Sequence, residues 1–169
     1  MKSELFGQLK NRFEGELRSD DLSKAIYATD ASVYQMTPKG VAIPLNEHDL
    51  IKLVSWSAEN KVPLIPRAAG TSLAGQCVGD GVVVDTSKYL NRIIAFDKEK
   101  RLITVEPGVI RDELNQFLQP HGLFFGPNTS TANRCMIGGM VGNNSSGTTS
   151  IRYGVTRDKV VGLRSILSD

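Results

Sequence analysis

Pro66-Arg67-Ala68-Ala69-Gly70-Thr71-Ser72-Leu73-Ala74-Gly75-Gln76 lies between two short apolar runs, Val62-Pro63-Leu64-Ile65 and Val82-Val83-Val84. Runs this short, rich in β-branched residues and bounded by Gly and Pro, predict buried strands. A connection made of Gly, Ala, Ser and Thr has little bulk to hold its main chain away from a ligand. Successive N–H groups in such a turn converge into a concavity for an anion, most often phosphate. The stretch therefore reads as a loop for the diphosphate of a dinucleotide.

Upstream, Gly40-Val41-Ala42-Ile43-Pro44 predicts another strand. Asn46 stands as an N-cap, with Glu47 and Asp49 in the first turn, where the helix dipole favours acids. Leu50, Leu53, Val54 and Ser57 follow at helical spacing, and the helix should stop near Asn60. Strand, helix and strand in this succession make a βαβ unit with parallel strands and a right-handed crossover. Ligand loops belong at the carboxyl ends of such strands, where residues 67–76 fall. Further towards the N-terminus, Leu5, Leu9, Phe13 and Leu17 recur four apart and predict an amphipathic helix over residues 3–18. Residues 25–36 show no clean period and read as an irregular lead-in.

Downstream, residues 93–97 and 102–106 flank Lys98-Glu99-Lys100-Arg101 and predict a β-hairpin with a charged tip. Ile110, Leu114, Phe117 and Leu118 make a short helix, stopped by Pro120 and Gly122. Leu123-Phe124-Phe125 predicts a brief strand, and residues 159–167 a final one. Between them, residues 126–154 form a small-and-polar span too long for an ordinary connection. Its stretch from Met136 to Gly147 mixes apolar residues with glycines, as a turn pressed on a core or a ligand would. Asn and Ser there can bond a polar ring edge, while Gly138 and Gly139 admit close approach of main chain to a flat ring.

The chain has 169 residues, enough for one domain or two small subdomains. Its hydrophobic fraction of 40% and charged fraction of 22% are those of an ordinary globular protein. A net charge of +2 is too mild to argue for nucleic acid. The local excess at Arg152, Arg157, Lys159 and Arg164 reads as a solvated face or as positive potential near a phosphate. Cys77 and Cys135 have no second Cys or His at ligand spacing, so they read as small packing residues, with no disulfide framework and no metal site. No secretory h-region and no membrane-spanning run is present, and the expected location is cytoplasmic.

Neither small-residue loop contains the lysine of a P-loop, and no G-x-G-x-x-G opens a helix. The usual signatures for ATP and NAD are thus missing. Either loop alone could be a plain turn; the two together, with Arg67 and Tyr153-Gly154 beside them, read as one ligand groove. Arg67 could equally pair with a local carboxylate. His48 and His121 have no partner in view and take no catalytic role. Trp56 fits a partly buried helix face, and Arg157 and Asp158 fit as the cap and solvated flank of the last strand.

Residues 67–76, Gly126-Pro127-Asn128-Thr129-Ser130-Thr131-Ala132-Asn133, the run from Ile137 to Gly147, Arg152-Tyr153-Gly154 and Asp158 closely resemble the FAD-linked oxidases of the vanillyl-alcohol oxidase and p-cresol methylhydroxylase fold. Within that fold they are most similar to the D-2-hydroxy-acid dehydrogenase branch, with the flavoprotein component of glycolate oxidase and the flavin D-lactate dehydrogenases. Asn133 and Gly142-Asn143-Asn144-Ser145 look nearest to long members fused to an iron–sulfur domain. The resemblance implies an α+β, FAD-binding domain of two subdomains: a small parallel βαβ-type subdomain, then a mixed or antiparallel one that is incomplete at its C-terminus. On that pattern residues 1–36 are the N-terminal helix and lead-in, 37–86 the first subdomain and 87–169 the second, without a substrate cap domain.

The resemblance further implies that Arg67, Ala68, Ala69, Gly70, Thr71 and Ser72 wrap the FAD pyrophosphate. Pro127, Thr131, Gly138, Gly139, Asn144, Ser146, Gly147 and Tyr153 would line the flavin or ribityl path, although Tyr153 also fits a purely structural role. Ala68-Ala69 stands where Gly is usual, and no His occurs near Thr71 or Ser72, so FAD is expected to be held non-covalently. The implied reaction is hydride transfer from a D-2-hydroxy acid of the lactate, glycolate or 2-hydroxyglutarate type. Electrons would pass to a transfer partner or a fused iron–sulfur domain. Catalytic groups and any iron–sulfur cluster are expected downstream, and this part alone is expected neither to turn over substrate nor to retain FAD tightly. Other readings are a non-catalytic flavin- or nucleotide-binding module, a UDP-N-acetylenolpyruvoylglucosamine reductase-like enzyme of the same fold, and a structural or interaction protein.

Overall fold

The computed structural model describes residues 5–7 and 9–167. They fold into two units: one runs up to Tyr89 and takes in residues 165–167, and the other is Leu90–Arg164. The first is built on a four-stranded sheet of β1 (Glu16–Arg18), β2 (Gly40–Ile43), β3 (Leu64–Arg67) and β4 (Val82–Asp85), in the order β1-β2-β4-β3. β2 and β3 both run parallel to β4, with Gly40 and Leu64 each opposite Val82, while β1 is antiparallel to β2. The expected parallel relation therefore holds, with β4 lying between the two strands that flank the helix. β3 begins after Pro63, which has no N–H to offer a ladder. Pro66 is tolerated because β3 is an edge strand. β2 and β4 are buried throughout, as strands covered on both faces are.

α2 (Glu47–Asn60) lies between β2 and β3 in the chain, and its capping follows the sequence signals; α1 (Asp21–Tyr27) precedes β2. The Asn46 side chain accepts from the Asp49 N–H (3.0 Å), and Lys61 ends the helix at a left-handed φ of 52°. Leu53 and Trp56 face a core of Phe6, Leu9 and Phe13 together with Ala42, Val82 and Val84 of the sheet. Trp56 is buried, deeper than its helical position suggested, and meets the Phe6 ring at 5.6 Å.

The helix expected over residues 3–18 is not what forms in the described part. Residues 5–7 and 9–12 make turns, and β1 follows. Of the four expected apolar positions Leu9 and Phe13 are buried and Leu5 and Leu17 partly so, with Phe6 buried as well, but the main chain has other partners. The buried Asp49 carboxylate accepts the N–H groups of Glu14 (2.9 Å), Gly15 (2.8 Å) and Leu45 (3.0 Å). Amides captured in this way cannot bond back along a helix, and a Cβ on Gly15 would stand 2.1 Å from the Ile43 carbonyl oxygen. The supposedly irregular lead-in, in contrast, begins within α1, capped by Asp20 on the Ser23 N–H (2.8 Å).

In β1, the Glu16 carboxylate accepts from Lys88, the Tyr89 hydroxyl and Arg18. Those partners, Lys88 foremost, lower its pKa from 4.5 to about 2. A carboxyl with a depressed folded pKa stabilises fully above its unfolded value and loses that contribution as pH falls through the folded one. The window here runs from 4.5 down to about 2. Glu16→Gln is expected to weaken this unit at neutral pH, with the gap to the parent closing towards pH ~2. Urea unfolding read by Trp56, the sole tryptophan, measures it. A gap independent of pH would remove the cluster as the cause.

The second unit holds the expected hairpin, β5 (Ile93–Asp97) paired antiparallel with β6 (Leu102–Val105), its tip turned by Arg101 at φ 55°. α3 (Arg111–Leu118) packs Leu114 and Leu118 with Val109 against Ile93, Phe96 and Val105. His121 lies beside the Phe96 ring at 4.7 Å, a packing role. Three expectations are corrected in this unit. Residues 123–125 form no strand, because the Phe125 N–H and carbonyl are both taken by the Asn115 side chain (2.7 and 3.3 Å). The 126–154 span is not one structureless loop, since it contains α4 (Ile137–Gly142) and α5 (Ser150–Tyr153). The final strand is absent: Thr156–Lys159 is a 3-10 turn, and residues 160–167 join no ladder among the described residues. Asp158 accordingly caps a turn, accepting the Val155 N–H at 2.8 Å. No helix among the described residues is long and apolar enough to cross a membrane.

Candidate functional site

The first small-residue loop leaves the carboxyl end of β3 and returns to the start of β4, where the Val82 N–H donates to the Pro63 carbonyl (2.8 Å). Two of its carbonyls and the Ser72 hydroxyl have partners. The Arg67 carbonyl accepts from the Thr86 N–H (3.0 Å), the Gly70 carbonyl from the Ala31 N–H (3.1 Å), and the Ser72 hydroxyl from the Ala74 N–H (3.1 Å). Five of its amides do not: the N–H groups of Ala69, Gly70, Thr71, Ser72 and Leu73 meet no acceptor among the described residues. Gly70 sits at φ +65°, a left-handed turn that L side chains rarely adopt. Five successive unpaired amides on a turned backbone fit the diphosphate of a dinucleotide, which needs donors and little side-chain bulk.

Arg67 does not take the local-carboxylate alternative. No carboxylate reaches it among the described residues, and its guanidinium instead donates to the Thr29 carbonyl (2.5 Å) and lies over the Tyr27 ring at 5.3 Å. Tyr27 in turn donates its hydroxyl to Asp85 (2.5 Å), and desolvation, then that carboxylate, push the phenol pKa up. Tyr27, Thr29 and Asp85 escaped the sequence reading. The available signal was Ser19-Asp20-Asp21-Leu22-Ser23, a helix start that leads directly to Tyr27.

In the second unit, residues 126–131 run beside 147–153. Pro127 is fully buried and its carbonyl accepts from Arg111 Nε (3.1 Å); the Gly126 carbonyl accepts from the Thr149 hydroxyl (2.8 Å). A Cβ on Gly147 would stand 1.6 Å from the Asn128 carbonyl oxygen, so only glycine closes this contact. Tyr153 meets Phe124 edge-on at 5.0 Å and covers Gly126, which supports the structural reading of that residue. Thr131 holds the next turn, its carbonyl accepting from the N–H groups of Arg134 (2.9 Å) and Cys135 (2.7 Å).

Gly138 has a protein reason for lacking a side chain: its N–H donates to the Pro107 carbonyl (2.8 Å), and a Cβ would meet the Pro107 ring at 2.5 Å. Gly139 is exposed within α4, and Ser146 is exposed as well. Asn144 adopts φ +47° and accepts the Arg157 N–H (3.0 Å). Thr156, wholly buried, donates to the Ser145 carbonyl (2.7 Å) and anchors the turn. A concavity of about 490 Å³ in this unit is an open groove along α3 lined by Asp112, Asn115, Gln116, Gln119 and residues 122–124. It contains none of the expected residues and gathers no main-chain amides.

The sequence profile of a family described as FAD binding domain matches residues 38–169. The chain belongs to that family. As an FAD binding domain it is 40% identical over 158 residues to D-2-hydroxyglutarate dehydrogenase of Pseudomonas putida, covering 92% of this chain and 16% of that protein. It is 36% identical to glycolate oxidase subunit GlcD of Bacillus subtilis, covering 86% of this chain and 32% of that one. A solved structure of alkyldihydroxyacetonephosphate synthase superposes with a TM-score of 0.82 at 21% identity, over 94% of this chain and 35% of that one. The chain thus spans a sixth to a third of the length of these relatives. The vanillyl-alcohol oxidase fold inferred from the motifs is the fold observed, and the FAD assignment stands with it.

Proposed function

We propose that the chain is the cofactor-holding part of a flavin-dependent dehydrogenase acting on a D-2-hydroxy acid. The unpaired amides of residues 69–73 are the observation that carries this reading, because they suit a diphosphate, which in a member of the FAD binding domain family is that of FAD. The names of the relatives, D-2-hydroxyglutarate dehydrogenase and glycolate oxidase, support the substrate class. Residues 37–86 and 87–169 are assigned as the two FAD-binding subdomains. Ala68 to Ser72 hold the diphosphate, while Pro127, Thr131, Gly139, Asn144, Ser146 and Gly147 shape the flavin and ribityl path, with Gly138 and Tyr153 supporting it from behind.

Bound FAD supplies the hydride acceptor for the hydroxyl-bearing carbon of the acid. The chain's own part is to bind and orient it. We assign no proton-transferring group to these residues, and an electron-transfer partner or a fused iron–sulfur domain completes the reading. FAD titrated into the full chain should quench its fluorescence saturably, and acid precipitation should release all of the flavin, as non-covalent binding requires. A longer form of the protein should bleach with D-2-hydroxyglutarate, D-lactate or glycolate. A yellow protein that none of these acids bleaches would instead mark a non-catalytic flavin-binding module, and a colourless one would end the proposal.

A further inference from the structure

We propose that residues 27–35, which precede the matched FAD binding domain, form a brace that holds the diphosphate loop in its binding shape, with Tyr27 and Arg67 as positioning residues. This rests on the reading that residues 69–73 take the FAD diphosphate. The brace touches the loop at both ends and in the middle. Tyr27, the last residue of α1, is fixed by its hydroxyl bond to Asp85, whose other carboxylate oxygen accepts the Ser87 N–H (2.7 Å). Its ring carries the Arg67 guanidinium, which also donates to the Thr29 carbonyl.

That guanidinium fills the hollow behind the left-handed turn, since a Cβ on Gly70 would lie 2.6 Å from Arg67 Nη2. The Ala31 N–H donates to the Gly70 carbonyl (3.1 Å), and Tyr34 lies so close that a Cβ on Gly75 would meet its ring at 2.8 Å. At the far end the buried Cys77 thiol lies 3.5 Å from an Asp30 carboxylate oxygen. Thr29 and Gln35 bridge the segment onto itself.

The contacts made to the loop use the Arg67 side chain, the Gly70 carbonyl and the surface of Gly75, and leave the amides of residues 69–73 unspent. A loop fixed from the carbonyl side loses less conformational freedom when an anion arrives at the amide side. Arg67 gives Nη1 to the Thr29 carbonyl and lays its guanidinium over Tyr27, and in this proposal it acts on the diphosphate through the shape of the loop. Shape and charge are separable: Arg67→Lys keeps the cation and loses the planar fork that spans Tyr27, Thr29 and Gly70.

The test uses the full chain with Tyr27→Leu and, separately, Arg67→Lys, with two readouts. The first needs no flavin: the rate at which iodoacetamide alkylates Cys77, resolved from Cys135 by peptide mass. The second is the FAD dissociation constant from fluorescence quenching. Both variants are expected to speed alkylation of Cys77 by about tenfold with Cys135 unchanged, and to weaken FAD binding by a similar factor, because apparent affinity scales with the fraction of competent loop. Wild-type FAD affinity in Arg67→Lys would make Arg67 a charge rather than a brace and overturn the proposal, as would faster alkylation with unchanged FAD affinity in both variants. If Tyr27→Leu unfolds, both thiols react alike, and Arg67→Lys alone decides. Should the parent bind no FAD, the cofactor reading fails while the alkylation rates still test the brace.

Discussion

Asp49→Ala is expected to destabilise the unit that contains it by about 3–5 kcal/mol. The carboxylate is wholly buried and accepts three main-chain amides, from Glu14, Gly15 and Leu45, with Lys52 Nζ 3.6 Å from one oxygen. Removing it orphans three donors at once, at about 1–3 kcal/mol each where water cannot reach them. Partial relaxation keeps the sum below the arithmetic maximum. Against a typical stability of about 5–15 kcal/mol, the loss is a large share. Asp49→Asn should fall between, because an amide offers one acceptor atom where the carboxylate offers two. Urea unfolding followed through Trp56 fluorescence measures the effect. A loss below about 1 kcal/mol would mean that the three amides find other partners.

The same carboxylate explains why the N-terminal region could not be read correctly. Spacing of Leu5, Leu9, Phe13 and Leu17 marked the core-facing side: Leu9 and Phe13 are buried, Leu5 and Leu17 partly so, and buried Phe6 lies outside that stripe. It could not tell that an aspartate more than thirty positions away captures the amides a helix would need. α2, by comparison, was legible to within a residue, because its signals are local: an Asn46 cap, acids in the first turn and a stop near Asn60. The hairpin of β5 and β6 was legible for a similar reason, with alternating apolar runs meeting at a charged tip.

The cofactor loops divide along the same line. Composition located the first loop, since small residues let its main chain come close to a ligand. Which side of the loop the protein uses was not written locally, because the answer lies in Thr29, Ala31 and Tyr27. In the second unit, composition offered Gly138 as a place for close approach, and the structure adds a reason that is not local, since Pro107 fills the space a side chain would need. The final strand was misread because a strand is defined by its partner, and residues 160–167 have the pattern without a described ladder.

Gly70→Ala is expected to weaken FAD binding by about 30- to 150-fold, the equivalent of about 2–3 kcal/mol. Two effects add. A left-handed φ costs an L residue about 1–2 kcal/mol that glycine does not bear, and Gly70 sits at +65°. The new methyl also meets Arg67 Nη2 at 2.6 Å; being the end of a flexible side chain, the guanidinium would move and surrender its place on Tyr27 and Thr29. The free loop can relieve both by relaxing, but binding must then restore the strained shape, so the cost appears in affinity more than in stability. Gly122→Ala is the matched control: φ is +70° and nothing lies within 4 Å, so strain is added without a collision and in the other unit. It should lower stability modestly and leave the FAD dissociation constant unchanged. Gly70→Asn separates the two effects, because Asn tolerates the left-handed region yet still carries a Cβ. An intermediate affinity for Gly70→Asn would apportion strain and collision, whereas parental affinity in Gly70→Ala would show that FAD is not gripped by this turn.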